Sequence, residues 1–305
     1  MKKLLLPILS CFLILSVIAI FEYNNGTDQA IPDANITTPL PTPTDIIDLT
    51  TQDTTDTDTS AKTIATTNTA YTKEINSSTI TSILVAPSKD TLSKLVSGSI
   101  VDVSKNKKDI IKIAFYYEKI NKDIKVRIKG KSYKKDCTVP YENLRYVRVL
   151  YYGFDKKTHI GELIVNKQIA KDITAIFKEL YLAKYPIEKM VLIDDYEADD
   201  EASMADNNTT SFNYRIMTGS KNLSKHALGL AIDINPLYNP YVKATGSKII
   251  VSPDNGYEYR NRNLDNPYYI LKNDTCYNAF TKRGFTWGGS WKSIKDYQHF
   301  EKSIE

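Results

Sequence analysis

The fold of this chain is decided by residues 224–236, which read SKHALGLAIDINP. Large apolar residues alternate there with small ones and with Asp233, and this period of two predicts a strand with one apolar face. The other face stays small up to the Asp233 carboxylate, which leaves room for an ion or a substrate backbone. His226 precedes Asp233 by seven residues, so the two would lie on opposite faces of a regular strand. We therefore expect a turn around Gly229 to bring the imidazole round.

A second motif follows in residues 284–301, which read GFTWGGSWKSIKDYQHFE. Asp296 and His299 are three residues apart, so a tight turn or a helical turn would present both to one site. The Gly-Gly pair between Trp287 and Trp291 predicts a sharp loop that displays aromatic surface. We interpret the two tryptophans as substrate-binding walls of a groove, with burial in the core as the alternative.

These motifs contain two of the chain's three histidines, together with the carboxylates that metal chemistry needs. A catalytic zinc ion is held by three protein ligands, drawn from imidazole nitrogen and carboxylate oxygen, and its fourth position is left to water. His226, Asp233 and His299 meet that count. Asp296 is then the candidate general base, held near the metal but not on it. Arg215 is the candidate positive group for the oxyanion, although a surface salt bridge is the alternative for this residue.

The pattern Ser-x-His-x-x-Gly-x-Ala-x-Asp, followed later by Asp-x-x-His, resembles the zinc D-alanyl-D-alanine carboxypeptidases of the VanY type and their L-alanyl-D-glutamate peptidase relatives. The resemblance extends over roughly residues 140–305. It implies that zinc is bound by His226, Asp233 and His299. It also implies that Asp296 is the acid/base carboxylate, that Arg215 polarises the scissile carbonyl, and that Ser224 approaches the substrate peptide.

The same resemblance implies a fold and an activity. The fold is α+β, of the Hedgehog and D,D-peptidase type, with a central antiparallel sheet, packed helices and the zinc site on the open face of the sheet. The activity is removal of the terminal D-Ala from peptidoglycan stem peptides, by a protein we expect to be a monomer that does not bind nucleic acid. Two alternatives stay open. One is an L-alanyl-D-glutamate endopeptidase of the same fold, whose branch also uses an Asp at position 296, and the other is a non-catalytic, zinc-containing module that binds the cell wall.

The N-terminal part of the chain predicts export. The apolar run from Leu4 to Phe21 follows Lys2 and Lys3, which is typical of a single-pass signal anchor with the rest of the chain outside the cell membrane. A cleaved signal peptide, which would release a secreted protein, is the alternative. The Thr, Asp and Pro residues that follow predict a disordered stalk. The predicted segments are the anchor 1–22, the linker 23–72, an N-terminal extension with basic strands 73–140 and the catalytic domain 141–305.

Several local patterns give further expectations. Residues 124–129 alternate apolar and cationic residues, which predicts a strand whose basic face meets anionic wall polymers or, alternatively, solvent. A helix is predicted from the apolar residues between Ile169 and Leu180, with Asn166 as its cap and Pro186 just beyond its end. Residues 190–193 predict a short buried strand, and the acidic run 194–201 a solvated loop. Outside the apolar N-terminal segment the two cysteines, Cys137 and Cys276, could form a disulfide or stay free thiols.

Overall fold

Three antiparallel sheets, rather than one central sheet, organise the part of the chain that the structure describes. The computed structural model describes residues 88–217 and 221–304. The strands of these ranges are β1 Tyr116–Lys119, β2 Leu144–Tyr152, β3 Thr158–Asn166, β4 Ala231–Asp233, β5 Tyr241–Thr245, β6 Lys248–Ser252, β7 Thr286–Trp287, β8 Lys295–Asp296 and β9 His299–Glu301. The α-helices are α1 Lys89–Ser93, α2 Lys107–Ala114, α3 Lys122–Ile128, α4 Ala170–Leu182, α5 Asp200–Ala205 and α6 Thr275–Thr281. Helices combined with small antiparallel sheets confirm the α+β class.

The first sheet has the order β1-β2-β3 and is covered by helices on both faces. One face of its long hairpin packs with α4 through residues such as Val147, Val149 and Leu163. The opposite face carries Leu150 and Ile160, which pack with α1 and α2. Strand side chains alternate between the two faces, and because both faces are covered, nearly all residues of the hairpin are buried. The described part of the predicted extension thus supplies β1 to the same sheet as the predicted catalytic domain, and the boundary between them stays a prediction.

The other two sheets are smaller and are built by the C-terminal part of the chain. Their strand orders are β4-β9-β7 and β6-β5-β8. Apolar residues of β4, β7 and β9, such as Ile232, Trp287 and Phe300, belong to the same buried cluster as α4 and α6. Three of these strands also carry polar residues beside that cluster, with Asp233 at the end of β4, Asp296 at the end of β8 and His299 at the start of β9.

The predicted helix near residue 170 is confirmed, but its predicted cap is wrong. Helix α4 spans Ala170–Leu182 and buries its apolar stripe completely. Asn166 is instead the last residue of β3, and its side-chain oxygen accepts a hydrogen bond from Gln168 N at 3.1 Å. Ile169 precedes the first turn without a side-chain cap. Burial of the apolar stripe therefore stabilises this helix without a cap.

The predicted basic strand at residues 124–129 is wrong, because this segment lies mostly in helix α3. Asn121 begins the helix by accepting a hydrogen bond from Ile124 N at 2.9 Å. Ile124 and Ile128, four residues apart, face the core, whereas Val126 is 71% exposed. Ile124, Val126 and Ile128 are spaced as in a strand, but the pattern also fits a helix. In a helix only Ile124 and Ile128, four residues apart, need to face the core.

The predicted buried strand at residues 190–193 and the solvated acidic loop after it also need correction. Asn208 donates to Val191 O and accepts from Val191 N, so a side-chain amide takes the place of a neighbouring strand. Ile193 then begins a 3-10 helix. Within the acidic run, Asp194 is buried and accepts hydrogen bonds from the backbone and the hydroxyl of Ser132. The run is therefore partly a packing element.

Basic residues of the extension pair with these acidic groups. Arg127 bonds both carboxylate oxygens of the buried Glu162, at 2.9 and 2.8 Å, and also contacts Asp195. Lys131 pairs with Glu197 at 2.6 Å. Part of the positive charge that the sequence offered to wall polymers is thus neutralised within the protein.

Three other expectations concern the cysteines and the membrane. Cys137 and Cys276 are both free thiols, so the disulfide alternative is wrong. The predicted anchor 1–22 and the linker 23–72 lie outside the described residues and stay predictions. Between residues 88 and 217 and between 221 and 304, no helix has both the length and the hydropathy needed to cross a bilayer.

Candidate metal centre

Pairing of β4 with β9 places a carboxylate opposite an imidazole. In the antiparallel register Asp233 lies directly across from His299. Residues in this relation project their side chains to the same face, about 5 Å apart at Cβ. His299 Nδ1 accordingly lies 3.1 Å from Asp233 Oδ1. Two residues separated by 66 positions along the chain therefore share one face of a two-strand ladder.

The predicted turn at Gly229 is confirmed, and it brings His226 to the same place. His226 begins the 3-10 helix His226–Leu228, and Gly229 follows this helix with a φ of 65°. A Cβ on this glycine would lie 2.7 Å from the backbone nitrogen of Asn166, so the close approach requires Gly as well as the positive φ. His226 Nε2 then lies 3.2 Å from His299 Nδ1 and 3.2 Å from Asp233 Oδ2.

The three side chains fit a metal ion. One ligand atom from each of His226, Asp233 and His299 lies within 4.8 Å of the others, and all three residues are buried. Tetrahedral zinc with bonds of roughly 2.0–2.1 Å needs ligand atoms about 3.3–3.4 Å apart. The two imidazole nitrogens lie 3.2 Å apart, and each lies 3.1–3.2 Å from a different oxygen of the Asp233 carboxylate, which is only slightly shorter. No other His, Cys, Asp or Glu of the described ranges joins this group, so its donor set leaves coordination positions open.

Each imidazole is hydrogen-bonded through its far nitrogen. His226 Nδ1 lies 2.7 Å from the carbonyl oxygen of Ser211, which is an acceptor only. His299 Nε2 lies 3.1 Å from Glu301 Oε2. The nitrogens that face the shared centre are therefore Nε2 of His226 and Nδ1 of His299. Such outer contacts fix the ring orientation and the tautomer of metal-binding histidines.

The pKa values of Asp233 and His299 are both shifted strongly by their neighbours. Burial alone would raise the pKa of Asp233, but the adjacent His226 and His299 hold it far below its usual range. Burial alone would lower the pKa of His299, but hydrogen bonds to Asp233 and Glu301 raise it to about 10. A proton and a metal ion thus compete for the same imidazole, as is usual for metal ligands.

Asp296 stands beside this group without belonging to it. Burial raises the pKa of Asp296 to about 6; the positive charge of His299 opposes this rise and the negative charge of Asp233 adds to it. Among the described residues, no hydrogen-bond partner reaches its enclosed Oδ1 atom. Gly288 makes the close packing possible, because a Cβ there would lie 2.6 Å from Asp296 O and 2.8 Å from Asp296 Cβ. The site therefore holds a carboxyl group with a free oxygen and a near-neutral pKa.

Arg215 lies at the border of the site and is anchored there. Its positive charge lowers the pKa of Asp296, so the two groups are electrostatically coupled. Its Nε forms a salt bridge with Asp200 Oδ2, in which both side chains are about one-third exposed. Asn213 donates to the other oxygen of Asp200 at 2.9 Å. The salt bridge considered from the sequence therefore exists and anchors the guanidinium to Asp200; the oxyanion role stays a prediction.

The predicted substrate residues differ in their placement. Ser224 is buried, and its hydroxyl accepts a hydrogen bond from His226 N at 3.1 Å. It therefore supports the start of the 3-10 helix that carries His226. Trp287 packs in the main core, and its indole N–H donates to Tyr297 O, which favours the core alternative. Trp291 is half-buried, and its ring centroid lies 5.4 Å from that of His299, which suits a wall of the site.

The third histidine, His159, takes no part in this centre. Its ring nitrogens contact Gly98 O and Asp155 Oδ1, each at 2.9 Å. Its ring also stacks on Tyr151 at a centroid distance of 5.2 Å. It is a structural residue of the first sheet, consistent with its position outside both motifs.

Sequence reasoning missed the residues that support the centre. Glu301 and Asp200 each bind a predicted site residue, and the Ser211 carbonyl binds His226. Glu301 could have been found, because it lies two residues after His299 in a strand and therefore on the same face. The partners Asp200 and Ser211 lie outside both motifs, and no local pattern marks them.

The C-terminal part of the chain matches one protein family. Residues 218–302 match the family model described as D-alanyl-D-alanine carboxypeptidase. This range includes all three predicted ligands and Asp296, whereas Arg215 precedes it. No curated protein and no solved structure matched the chain. The match supports a peptidase that acts on peptidoglycan peptides, and over residues 218–302 it confirms the resemblance to the VanY-type carboxypeptidase family.

Proposed function

We propose that this protein is a zinc-dependent D-alanyl-D-alanine carboxypeptidase that trims peptidoglycan stem peptides. The observation that carries the proposal is the convergence of His226, Asp233 and His299 beside Asp296, whose Oδ1 is enclosed and has no hydrogen-bond partner among the described residues. A site built only to stabilise the fold would leave neither an open coordination position nor an unpaired carboxylate oxygen, because buried polar atoms are normally paired. The family match adds the substrate class.

The residues divide the work of hydrolysis among them. Zinc, when bound, supplies Lewis acidity, which activates water at neutral pH and polarises the scissile carbonyl. Asp296 Oδ1 accepts the proton of the attacking water and returns it to the leaving amine, for which a pKa near 6 is suitable. Arg215, held by Asp200, provides the fixed positive charge for the developing oxyanion. Trp291 borders the space next to His299 in which the peptide would lie.

One alternative within the same chemistry keeps a specific observation in its favour. The residue at position 296 is Asp, whereas some carboxypeptidase branches use Glu, so the chain is closer here to the L-alanyl-D-glutamate endopeptidases. Both activities would use the same ligands and the same base. They differ only in which bond of the stem peptide reaches the centre.

We further propose that the enzyme works outside the cell membrane. The apolar run 4–21 and the polar stretch 23–72 support a tether that reaches from the membrane to the wall. The substrate class proposed here lies in the same compartment.

The decisive experiment is mass spectrometry of muropeptides digested by the purified full-length chain. The wild type is expected to release terminal D-Ala, and added chelator is expected to stop the release. Asp296→Asn should be inactive, whereas Asp265→Asn, which makes the same chemical change at an exposed residue, should be fully active. Cleavage between L-Ala and D-Glu would identify the endopeptidase instead. If no bond is cut with zinc or with other divalent metals, the enzyme proposal is wrong and a wall-binding module remains.

A further inference from the structure

Glu301 has a contact that neither motif assigns. Its Oε2 lies 3.1 Å from His299 Nε2, the nitrogen that points away from the shared centre. The Glu301 side chain is 25% exposed and the His299 side chain 8% exposed, so the contact is largely shielded from solvent. The hydrogen bond is therefore stronger than a comparable pair at the surface.

The position of Glu301 follows from strand geometry. His299 and Glu301 are two residues apart in β9, so they project from the same face. The residue across from Glu301 on β4 is Ala231, which is completely buried. Directly opposite residues share a face, and a larger side chain at Ala231 would compete with the Glu301 carboxylate for space. The small residues of this face of β4 thus make room for Glu301 next to the ligand pair.

A surface ion pair does not account for Glu301. Across residues 88–217 and 221–304, the one cationic partner within 4.0 Å of its carboxylate is His299. Lysine and arginine, the usual partners of a structural glutamate, are absent from that shell in the described ranges. In the described ranges, the Glu301 carboxylate thus pairs with the His299 imidazole alone.

We propose that Glu301 is a positioning residue of the metal centre, which accepts a hydrogen bond from His299 Nε2–H and so keeps Nδ1 turned toward the ion. This inference rests on the proposed metal function. It gives His299 the same kind of support that the Ser211 carbonyl gives His226, with a charged acceptor in place of a neutral one. A carboxylate behind a ligand imidazole also increases the basicity of the coordinating nitrogen.

Zinc affinity of the full-length chain, measured by competition with a chromophoric chelator, tests the inference without any substrate. Glu301→Ala should weaken zinc binding roughly 10- to 100-fold, the usual effect of removing such a partner. Glu301→Gln keeps an acceptor oxygen without the charge, so its loss should be smaller. Glu142→Gln, which neutralises an exposed glutamate, should bind zinc like the wild type.

A second readout separates positioning from general destabilisation. In zinc-loaded protein with nitrogen-labelled histidine, NMR should show a slowly exchanging proton on His299 Nε2. This proton should exchange much faster in Glu301→Ala while the signals of His226 stay unchanged. If Glu301→Ala does not fold, the comparison of Glu301→Gln with the wild type decides.

The possible outcomes are distinct. The positioning role is overturned if Glu301→Ala binds zinc within about twofold of the wild type, because that loss of affinity is far below the expected range. Where Glu301→Ala does not fold, the same criterion applies to Glu301→Gln. Either result leaves the proposed function standing. A wild type that binds no zinc would overturn both. Weaker binding together with faster exchange of the His299 proton supports the inference even before the scissile bond is known.

Discussion

Replacing Asp296 by Asn should remove most of the activity and, in the absence of metal, should make the protein more stable. The Oδ1 atom of this partly buried carboxylate is enclosed and has no hydrogen-bond partner in the described part of the chain, and the negative charge of Asp233 acts on the group. Asn keeps the shape of the side chain and removes the charge. The substitution therefore relieves an unfavourable ionisation without breaking a hydrogen bond to Oδ1.

The magnitude follows from the pKa. Burial raises the pKa of Asp296 from its usual 3.8 to about 6 even though His299 opposes the rise. Each tenfold change in proton affinity corresponds to about 1.4 kcal/mol, so ionised Asp296 destabilises the fold by at most about 3 kcal/mol. Part of the residue reaches solvent, and we therefore expect a gain of about 1–3 kcal/mol for Asp296→Asn at neutral pH.

The sign of the pH dependence is fixed by the direction of the pKa change. Below about pH 4 the carboxyl is protonated in both the folded and the unfolded chain, and the two proteins should be equally stable. Between pH 4 and about 6 the unfolded chain ionises first, so the wild type progressively loses stability relative to the variant. Above that range the difference should be constant.

Urea unfolding of both proteins, with chelator present and at several pH values, measures this difference directly. Loss of general base catalysis should lower kcat by roughly 10²- to 10⁴-fold in the zinc-loaded variant. A free-energy difference that does not change with pH, or a variant that is less stable than the wild type at neutral pH, would refute the reasoning. Retained activity would remove Asp296 from the mechanism.

Three further predictions concern the surroundings of the base and the ion. Gly288→Ala places a Cβ 2.6 Å from Asp296 O and should displace the Asp296 carboxylate. We expect kcat to fall roughly 10- to 100-fold, while the zinc affinity measured by chelator competition stays unchanged. Asp200→Asn removes the charged partner of Arg215 and should lower kcat/KM about tenfold at unchanged zinc affinity; an unchanged kcat/KM would show that Arg215 needs no anchor. Zinc at about 100 times its Kd should raise the free energy of unfolding by about 2.7 kcal/mol, and this gain, read from urea unfolding, should disappear with chelator or in His226→Ala.

The candidate site was more predictable than the fold around it. The three ligand candidates and Asp296 lie in two short motifs, and their residue types alone restrict the chemistry. The sequence also predicts the turn at Gly229. His226 and Asp233 are seven residues apart, so a regular strand would place their side chains on opposite faces. The sequence could not supply the partners Asp200 and Ser211, because they reach the site through tertiary structure.

The errors in the fold have physical causes. The spacing of Ile124 and Ile128 fits both a strand and a helix. The segment forms a helix, in which both residues are buried against the neighbouring hairpin. Residues 190–193 predict a short buried strand, but both backbone polar groups of Val191 bond to the side chain of Asn208. Local periodicity does not report which polar side chain will replace a strand, because that choice depends on contacts made elsewhere in the chain.

A short connection between two sheets explains why the base and a ligand can be read from one motif. Asp296 ends β8 of the third sheet, and His299 begins β9 of the second. The two residues between them are fixed by their backbones, because Tyr297 N donates to Pro240 O and Gln298 O accepts from Ile234 N. The separation of base and ligand is thus set by two hydrogen-bonded residues rather than by flexible side chains. These two backbone hydrogen bonds do not fix the orientation of the His299 imidazole. In our proposal Glu301, on the far side of His299, fixes it through the hydrogen bond to Nε2.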